Sequence, residues 1–204
     1  MLQSFSRPAL RKSPVGRDRF EDEARFLRSW LERPLVTGAV TPSGKLLART
    51  MASHVDPRLP GPVIELGPGT GPVTAALVRR GVAQDRRVLV EYNPEFCKLL
   101  KRRFPKATIV QGDAYDICES LRGVFDEPAA ATVSSLPLLT KPLEHRLQLL
   151  EAAHGLMHRG APFIQFTYAV APPIPARSGQ YVASGSNRVW LNLPPARVWA
   201  YRRP

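Results

Sequence analysis

The residues with the clearest chemical potential form a glycine-rich loop, Glu65–Gly71 (ELGPGTG), directly after a short apolar segment. Glycines at every second position let the backbone turn sharply and let a ligand lie directly against it. The next segment has a helical pattern, so its first N–H groups are free to bind a polar ligand. The spacing therefore predicts a ligand-binding loop lined by Gly67, Gly69, Thr70 and Gly71.

Two acidic residues follow the next two apolar segments. Glu91 lies 20 residues after Gly71, at a position where a carboxylate can accept hydrogen bonds from both hydroxyls of a ribose. Asp113 lies in the segment Gln111–Ala114 after the third apolar segment. An open α/β sheet binds its ligands at the carboxyl ends of its strands, so we expect these acids to lie beside the glycine loop.

The segments that position these residues alternate between strand and helix patterns. The predicted strands are Val63–Leu66, Arg87–Glu91, Ala107–Val110, Ala130–Ser134 and Pro162–Tyr168. The predicted helices are Lys45–His54, Pro72–Arg80, Glu95–Phe104, Tyr115–Leu121 and Leu143–His158. This alternation predicts a parallel sheet with helices on both faces.

The last part of the chain has a different pattern. Prolines exclude regular structure after residue 171, and Ser178–Asn187 is predicted to be a loop. Two short strands, Val189–Leu193 and Arg197–Tyr201, flank Pro194-Pro195 and should pair antiparallel. The predicted fold class is therefore α/β, a seven-stranded and mostly parallel sheet that ends in an antiparallel hairpin.

These motifs and this strand order resemble the Rossmann-like class I methyltransferases, which use S-adenosylmethionine (SAM) and release S-adenosyl-L-homocysteine. In that family the acid after the third strand contacts the adenine amino group, which implies this role for Asp113. The residue at Glu65 helps to hold the cationic methionine end of SAM; alternatively, this carboxylate caps the N–H groups of its own loop. The full set of cofactor residues that we predict is Glu65, Gly67, Gly69, Thr70, Gly71, Glu91, Tyr92, Asn93, Asp113, Ala114, Ser134, Ser43 and Lys45.

Four stretches, ELGPGTGPVT, LVEYNPEFCKLLKRRFP, VQGDAYDI and SSLPLL, are together similar to the bacterial phospholipid N-methyltransferases of the PmtA type. The resemblance runs from Val36 to the C-terminus and implies stepwise methylation of phosphatidylethanolamine towards phosphatidylcholine. Ser134–Leu139 resembles the (S/N)-x-L-P segment of that family and, more distantly, N-L-P-Y of the rRNA adenine dimethyltransferases. Thr41–Lys45 resembles a segment that closes over SAM, which implies that Ser43 and Lys45 contact the cofactor.

A lipid amine must be neutral to accept a methyl group, and apolar surroundings favour the neutral form. No dedicated general base is evident in the sequence. We predict that carbonyls at Ser134–Leu136 and the hydroxyl of Tyr168 orient the amine, which makes Ser134, Leu136 and Tyr168 the catalytic candidates. The alternative for Tyr168 is a tyrosine that simply closes a core strand.

The phosphate of a lipid headgroup requires a cation, and an arginine can bind it with two hydrogen bonds. Arg177 and Arg188 flank the loop after the fifth predicted strand, and Tyr181 lies between them. We predict these three residues to bind the substrate; the alternative for each arginine is a solvated surface charge, which is the commoner position of an arginine. His154 and His158 are spaced for a shared helix face, but no third ligand is apparent, so no metal site is predicted.

Charge is the outlying feature of the composition, because 29 basic residues against 17 acidic ones give a net charge of +12. Such an excess favours nucleic acid or an anionic membrane as a partner. Residues 1–35 are predicted to form a basic arm and an amphipathic helix at Asp18–Leu31, and residues 36–204 the methyltransferase domain. That helix suits an anionic membrane interface, or else it packs on the core of the domain.

We therefore expect a phospholipid and an anionic membrane as partners and no nucleic acid; the sequence predicts no oligomeric state. Without a signal peptide or a long apolar run, the expected location is the cytoplasm, peripheral on the inner membrane. An rRNA adenine dimethyltransferase is one alternative, against which Leu138 stands where an aromatic ring would stack on a flipped adenine. A non-catalytic SAM-binding module is the other, against which the intact glycine loop, Glu91 and Asp113 argue.

Overall fold

The computed structural model describes residues 42–175, 180–192 and 194–204, with only the backbone for Pro42 and Ser43. The predicted arm and helix of residues 1–35 lie outside the described residues. So do Arg177 and the side chain of Ser43, two of the predicted site residues.

Seven strands and five α-helices are formed by the described residues, together with a short 3-10 turn at Leu138–Thr140. The strands are β1 (Val63–Leu66), β2 (Arg87–Glu91), β3 (Thr108–Gln111), β4 (Ala131–Ser134), β5 (Phe163–Thr167), β6 (Val182–Gly185) and β7 (Arg197–Arg202). The helices are α1 (Pro42–Ser53), α2 (Pro72–Arg80), α3 (Pro94–Arg103), α4 (Ile117–Ser120) and α5 (Leu143–Gly155).

The seven strands form one sheet in the order β3-β2-β1-β4-β5-β7-β6. Strands β1 to β5 are parallel to their neighbours, and β7 runs antiparallel to both β5 and β6. The chain moves outward from β1 to β3 and then returns to β4 on the other side of β1. This reversal opens a crevice at the carboxyl ends of β1 and β4, the place where such sheets bind ligands.

Alternate residues of β1 face two different helical layers. Val63 belongs to the core cluster formed with α1 and α2, whereas Ile64 and Leu66 pack with α4 and α5. Both layers cover the sheet, so every residue of β1 is buried. Glu65 faces the first layer beside Thr74 of α2, so a carboxyl group lies within the core.

The C-terminal hairpin differs from the prediction in one strand. The partner of β7 is Val182–Gly185, from a segment predicted to be a loop, and not Val189–Leu193. Val189 makes only an isolated bridge to Ala196, since the prolines between them cannot donate the N–H bonds that a ladder needs. Gly185 also lacks a side chain that would meet the ring of Trp199, 3.1 Å from the position of a Cβ.

Helix α5 ends at Gly155, three residues before the predicted end. The backbone beyond it pairs with the segment before β4: Ala129 donates to the carbonyl of Leu156 at 2.8 Å, and His158 donates to the carbonyl of Ala129 at 3.0 Å. These bonds replace the helical ones and anchor the entry into β4.

Candidate functional site

The glycine loop after β1 is held in a conformation that other residues rarely adopt. Gly67, Gly69 and Gly71 have φ values of 66°, 56° and 84°. A Cβ on Gly71 would lie 2.6 Å from Cε2 of Phe104, whereas one on Gly69 would meet nothing within 4 Å. The loop is therefore packed closely on α3 at its end and faces open space at its middle, where a ligand can lie against the backbone.

Glu91, at the end of β2, fixes this loop in place. One carboxylate oxygen accepts from the N–H of Gly69 at 3.0 Å, and the other accepts from the N–H of Asn93 at 2.9 Å. The capping role considered above for Glu65 thus belongs to Glu91. Each oxygen of Glu91 keeps a second acceptor position, so the carboxylate can also accept bonds from two neighbouring hydroxyls.

The loop after β3 lies next to this carboxylate, because Gly112 donates to the carbonyl of Glu91 at 3.1 Å. Asp113 is exposed, and one of its oxygens accepts from the N–H of Tyr115 at 2.8 Å. The other oxygen is available to a ligand amino group, whereas Ala114 is buried in the core.

The two residues after Glu91 contribute differently. Tyr92 is 78% exposed, which leaves its ring free to cover a flat ligand. Asn93 caps α3 by accepting from the N–H of Glu95 at 2.8 Å, so its side chain positions the loop. Thr70 contacts the same helix, because its backbone carbonyl accepts a hydrogen bond from the side chain of Arg103.

Glu65 is fully buried below the glycine loop, and neither carboxylate oxygen has a hydrogen bond of good geometry among the described residues. Burial raises the pKa of Glu65 to about 7, although polar contact with Thr74 and the positive charge of Arg87 oppose the shift. An ionised carboxyl group in the core is costly unless it is paired and hydrogen-bonded. The arrangement therefore suits a cationic ligand group bound from the loop side.

The segment after β4 closes the other side of the crevice. Ser135 donates to the carbonyl of Leu66 at 2.9 Å, and the side chain of Leu136 lies 3.0 Å from the Cβ position of Gly67. Ser134 is buried, and its hydroxyl oxygen accepts from the N–H of Leu136 at 3.3 Å. The predicted acceptor segment and the glycine loop are thus in direct contact.

Gln165 of β5 is a residue of this site that the sequence reasoning missed. Its side-chain amide donates to the carbonyl of Leu136 at 3.0 Å and to that of Phe166 at 2.8 Å, while its own oxygen is buried without a partner. The Leu136 carbonyl also accepts from the N–H of Leu138 at 2.9 Å, so two bonds occupy its acceptor positions. Gln165 therefore fixes the position of the acceptor segment, and the prediction that this carbonyl faces the substrate amine is not supported. The available signal was a polar residue within the apolar run Phe163–Thr167.

Tyr168 and Arg188 lie together just beyond the carboxyl end of β5. Nη2 of Arg188 donates to the carbonyl of Tyr168 at 2.9 Å, and the tyrosine ring packs edge-on against Phe166. Burial raises the pKa of Tyr168, so its hydroxyl stays protonated at neutral pH and is not a general base. Lys45 is exposed near the start of α1.

Tyr181 is not brought to this edge of the sheet. It precedes Val182, which pairs with Arg202 at the end of β7 remote from the glycine loop. Its hydroxyl donates to Glu151 of α5, and its ring stacks on His154 with 5.1 Å between ring centres. These contacts give Tyr181 a structural role and separate it from the other predicted substrate residues.

The donor set at the carboxyl edge fits SAM. A buried carboxyl group below the glycine loop suits the ammonium, and a fixed carboxylate ends β2 where a ribose is expected. A Cβ on Gly69 would meet nothing within 4 Å, which leaves room for a ligand against the backbone of the loop. The ligand roles of the individual residues remain predictions.

Comparison with known proteins gives two kinds of sequence relative. Residues 45–121 match the ribosomal RNA adenine dimethylase family. An ornithine lipid N-methyltransferase from Singulisphaera acidiphila is 29% identical over 145 residues, which cover 70% of this chain and 76% of the relative. A ribosomal RNA small subunit methyltransferase A from a Synechococcus strain is 36% identical over 92 residues, or 44% of this chain but only 30% of that relative.

Solved structures of similar fold include the magnesium protoporphyrin IX methyltransferase of Synechocystis with bound SAM. It is 11% identical with a TM-score of 0.61, over 98% of this chain and 100% of that one. The N-methyltransferase NodS of Bradyrhizobium japonicum, bound to S-adenosyl-L-homocysteine, is 10% identical with a TM-score of 0.59, over 88% of this chain and 97% of its own. The predicted fold class is thereby confirmed.

Proposed function

We propose that this chain, which is a class I SAM-dependent methyltransferase, methylates the amine of a membrane lipid, with phosphatidylethanolamine and its mono- and dimethyl derivatives as acceptors. One observation carries the proposal. The likeness to a lipid N-methyltransferase extends over 76% of that relative, whereas the match to the rRNA dimethylase family ends at residue 121. That end precedes β4, so the match omits the acceptor segment.

The acceptor segment itself supports a substrate other than a base. Enzymes that modify a flipped base stack it between aromatic or apolar side chains. Here the position expected to carry a stacking ring is Leu138, whose side chain is buried in the core with α4 and α5. The segment offers backbone carbonyls instead, which suit the N–H groups of a small amine.

The proposed reaction makes modest demands on the protein. SAM would supply a methyl group that is bonded to a positively charged sulfur. An amine nitrogen can attack this methyl group in line and displace the sulfur. Glu91 and the glycine loop would hold the donor, while Gln165 fixes the acceptor segment at Leu136, which would position the amine. The leucine and tyrosine surroundings favour a neutral amine. The proton is lost to water, since the Tyr168 hydroxyl stays protonated.

The same proposal places the enzyme on a membrane surface as a peripheral protein. None of the helices in the part of the chain that the structure describes has the length and hydropathy of a membrane span. The net charge of +12 favours attraction to anionic lipids. The predicted basic arm in residues 1–35 would add to that attraction.

The decisive experiment supplies labelled SAM with three acceptors in parallel: phosphatidylethanolamine vesicles, ornithine-lipid vesicles and undermodified small-subunit rRNA. We expect label in the phosphatidylethanolamine fraction, and thin-layer separation then counts the methyl groups. Label only in ornithine lipid would overturn the phosphatidylethanolamine assignment while keeping the lipid class. Label only in rRNA would overturn the lipid proposal and favour the second candidate, which the match over residues 45–121 supports.

A further inference from the structure

A turn between β6 and β7 exposes two neighbouring large apolar side chains. Trp190 is 73% exposed and Leu191 is 77% exposed. The bridge pair Val189 and Ala196 closes the base of this turn, with Val189 donating to the Ala196 carbonyl at 2.7 Å. We refer to Trp190 and Leu191 together as the apolar tip.

The apolar tip is held outward by polar contacts at its base. Asn192 is buried and donates from its side chain to the carbonyl of Pro194 at 2.8 Å, and its backbone N–H donates to Val189 at 3.2 Å. The exposure of both apolar side chains is therefore a feature of a hydrogen-bonded turn. Adjacent exposed Trp and Leu side chains on such a turn indicate a contact surface.

The apolar tip lies at the same edge of the sheet as the glycine loop. Strand β7 is antiparallel to β5, and its first residue, Arg197, pairs with Thr167 at the carboxyl end of β5. The turn that precedes β7 therefore projects from that edge. Val170, which is also exposed, follows β5 at the same edge. Val182, in contrast, is 61% exposed at the opposite edge, where it pairs with Arg202.

Two arginines lie near the base of the tip. The guanidinium of Arg188 lies over the ring of Trp190, 5.8 Å from its centre, and Arg197 lies over Trp199 at the same distance. A tryptophan with arginines beside it matches the boundary between lipid headgroups and acyl chains, where the ring is half-buried and cations meet phosphates. The net charge of +12 complements an anionic bilayer in the same way.

We propose that Trp190 and Leu191 insert into the interface of an anionic bilayer while Arg188 and Arg197 contact its phosphates. This orientation turns the carboxyl edge of the sheet, with the glycine loop and the acceptor segment, towards the lipid. The inference rests on the proposed function, because it explains how an acceptor within a bilayer reaches the site. It adds a membrane contact that is separate from the arm predicted in residues 1–35.

The test measures co-sedimentation of the full chain with vesicles of equal parts phosphatidylethanolamine and phosphatidylglycerol. We expect W190A/L191S to weaken vesicle binding on the order of tenfold, because it removes two interfacial apolar side chains. The matched control is V182S, which removes an exposed apolar side chain at the opposite edge and should bind as the unaltered protein does. SAM affinity, measured by calorimetry, should be the same in all three proteins and reports that each is folded.

Activity separates this inference from the proposed function. W190A/L191S should methylate vesicle phosphatidylethanolamine on the order of tenfold more slowly, yet methylate a short-chain phosphatidylethanolamine dispersed in detergent at the normal rate. If no protein methylates lipid in either form, the proposed function fails, whereas the vesicle-binding result still decides the role of the tip. Equal vesicle binding by W190A/L191S and the unaltered protein would overturn the inference.

A fluorescence measurement locates the tip directly. In a W30F background, vesicles with brominated acyl chains should quench the tryptophan fluorescence of the protein. The W30F/W190F variant should lose most of that quenching. Unchanged quenching would overturn the inference. So would a fall in mass in light scattering for W190A/L191S without vesicles, because the tip would then join two copies of the chain.

Discussion

The sheet carries polar groups differently on its two sides. On the side of β1 to β3, backbone N–H groups fix a side-chain carboxylate, as Gly69 and Asn93 do with Glu91. On the side of β4 to β7, a side-chain amide fixes a backbone carbonyl, as Gln165 does with Leu136. The first arrangement suits a charged donor molecule of constant structure. The second presents uncharged polar groups to an acceptor, and the turn beyond it carries apolar side chains beside two arginines.

The largest effect is expected from a substitution in the glycine loop, on the side of β1 to β3. G71A places a side chain at a φ of 84° and a Cβ 2.6 Å from the Phe104 ring. The combined strain and overpacking should lower the free energy of unfolding by about 2–3 kcal/mol. Chemical denaturation measures this loss. SAM affinity, measured on the folded fraction, should fall as well.

The control for that change is G155A at the end of α5. A Cβ on Gly155 would meet nothing within 4 Å, and its φ is not positive. Its free energy of unfolding should stay within about 1 kcal/mol of the unaltered value. If G71A behaved like G155A, the close packing of the loop on α3 would not be important for stability.

The next largest effect is expected at Glu91, on the same side of the sheet. E91A removes the acceptor for Gly69 and Asn93 and for the two predicted ribose hydroxyls. SAM binding should weaken by about 2 kcal/mol, roughly 30-fold, in calorimetry. E95A is the matched control, because Glu95 is exposed and pairs only with Lys98 among the described residues. Unchanged SAM affinity in E91A would remove Glu91 from the binding site.

The first side was the more predictable from sequence because its signals are local. β1, α2 and β2 form at the predicted residues, since the glycines, the Pro at the start of α2 and the apolar runs act within a few positions. Even so, the sequence reasoning named only Glu65 as a possible cap of the loop, whereas Glu91 caps it. That choice depends on the register that places Glu91 beside Gly69, a contact between residues 22 positions apart.

The second side was less predictable because its structure depends on pairing between distant segments. Val182–Gly185 has small residues and no strong strand pattern, yet it pairs with β7 and becomes a strand. Gln165 was missed since its partner carbonyl lies 29 residues away, on another strand end. Tyr181 was assigned to the substrate from its position in the chain, whereas the sheet carries it to the opposite edge.

A smaller effect tests the second side through Gln165. Q165L removes the donor to the Leu136 carbonyl and should lower kcat/KM for the lipid roughly tenfold, about 1.4 kcal/mol, with SAM affinity unchanged. The matched control is Q148L, which makes the same replacement at an exposed position of α5. Steady-state kinetics at saturating SAM provide the measurement. A parallel loss of SAM affinity would mean that Gln165 supports the whole crevice and not the acceptor alone.

The smallest effect concerns Glu65, where the two sides meet. Its pKa is about 7 in the folded chain against 4.5 for an ordinary glutamate, so the folded chain binds more protons between these values. The contribution of Glu65 to stability is therefore fully present below the lower value and is lost as the pH rises through about 7.

SAM binding should have the opposite slope, because the cationic methionine end favours the ionised carboxylate. Affinity should rise several-fold, and at most roughly tenfold, between about pH 6 and about pH 7.5. E65Q cannot titrate, so its affinity should be weaker and flat over this range, and its stability should no longer fall through about pH 7. Calorimetric titrations at a series of pH values compare the two proteins. A slope that persists in E65Q would assign the titration to a different group, and the buried carboxyl would then have no part in holding the donor.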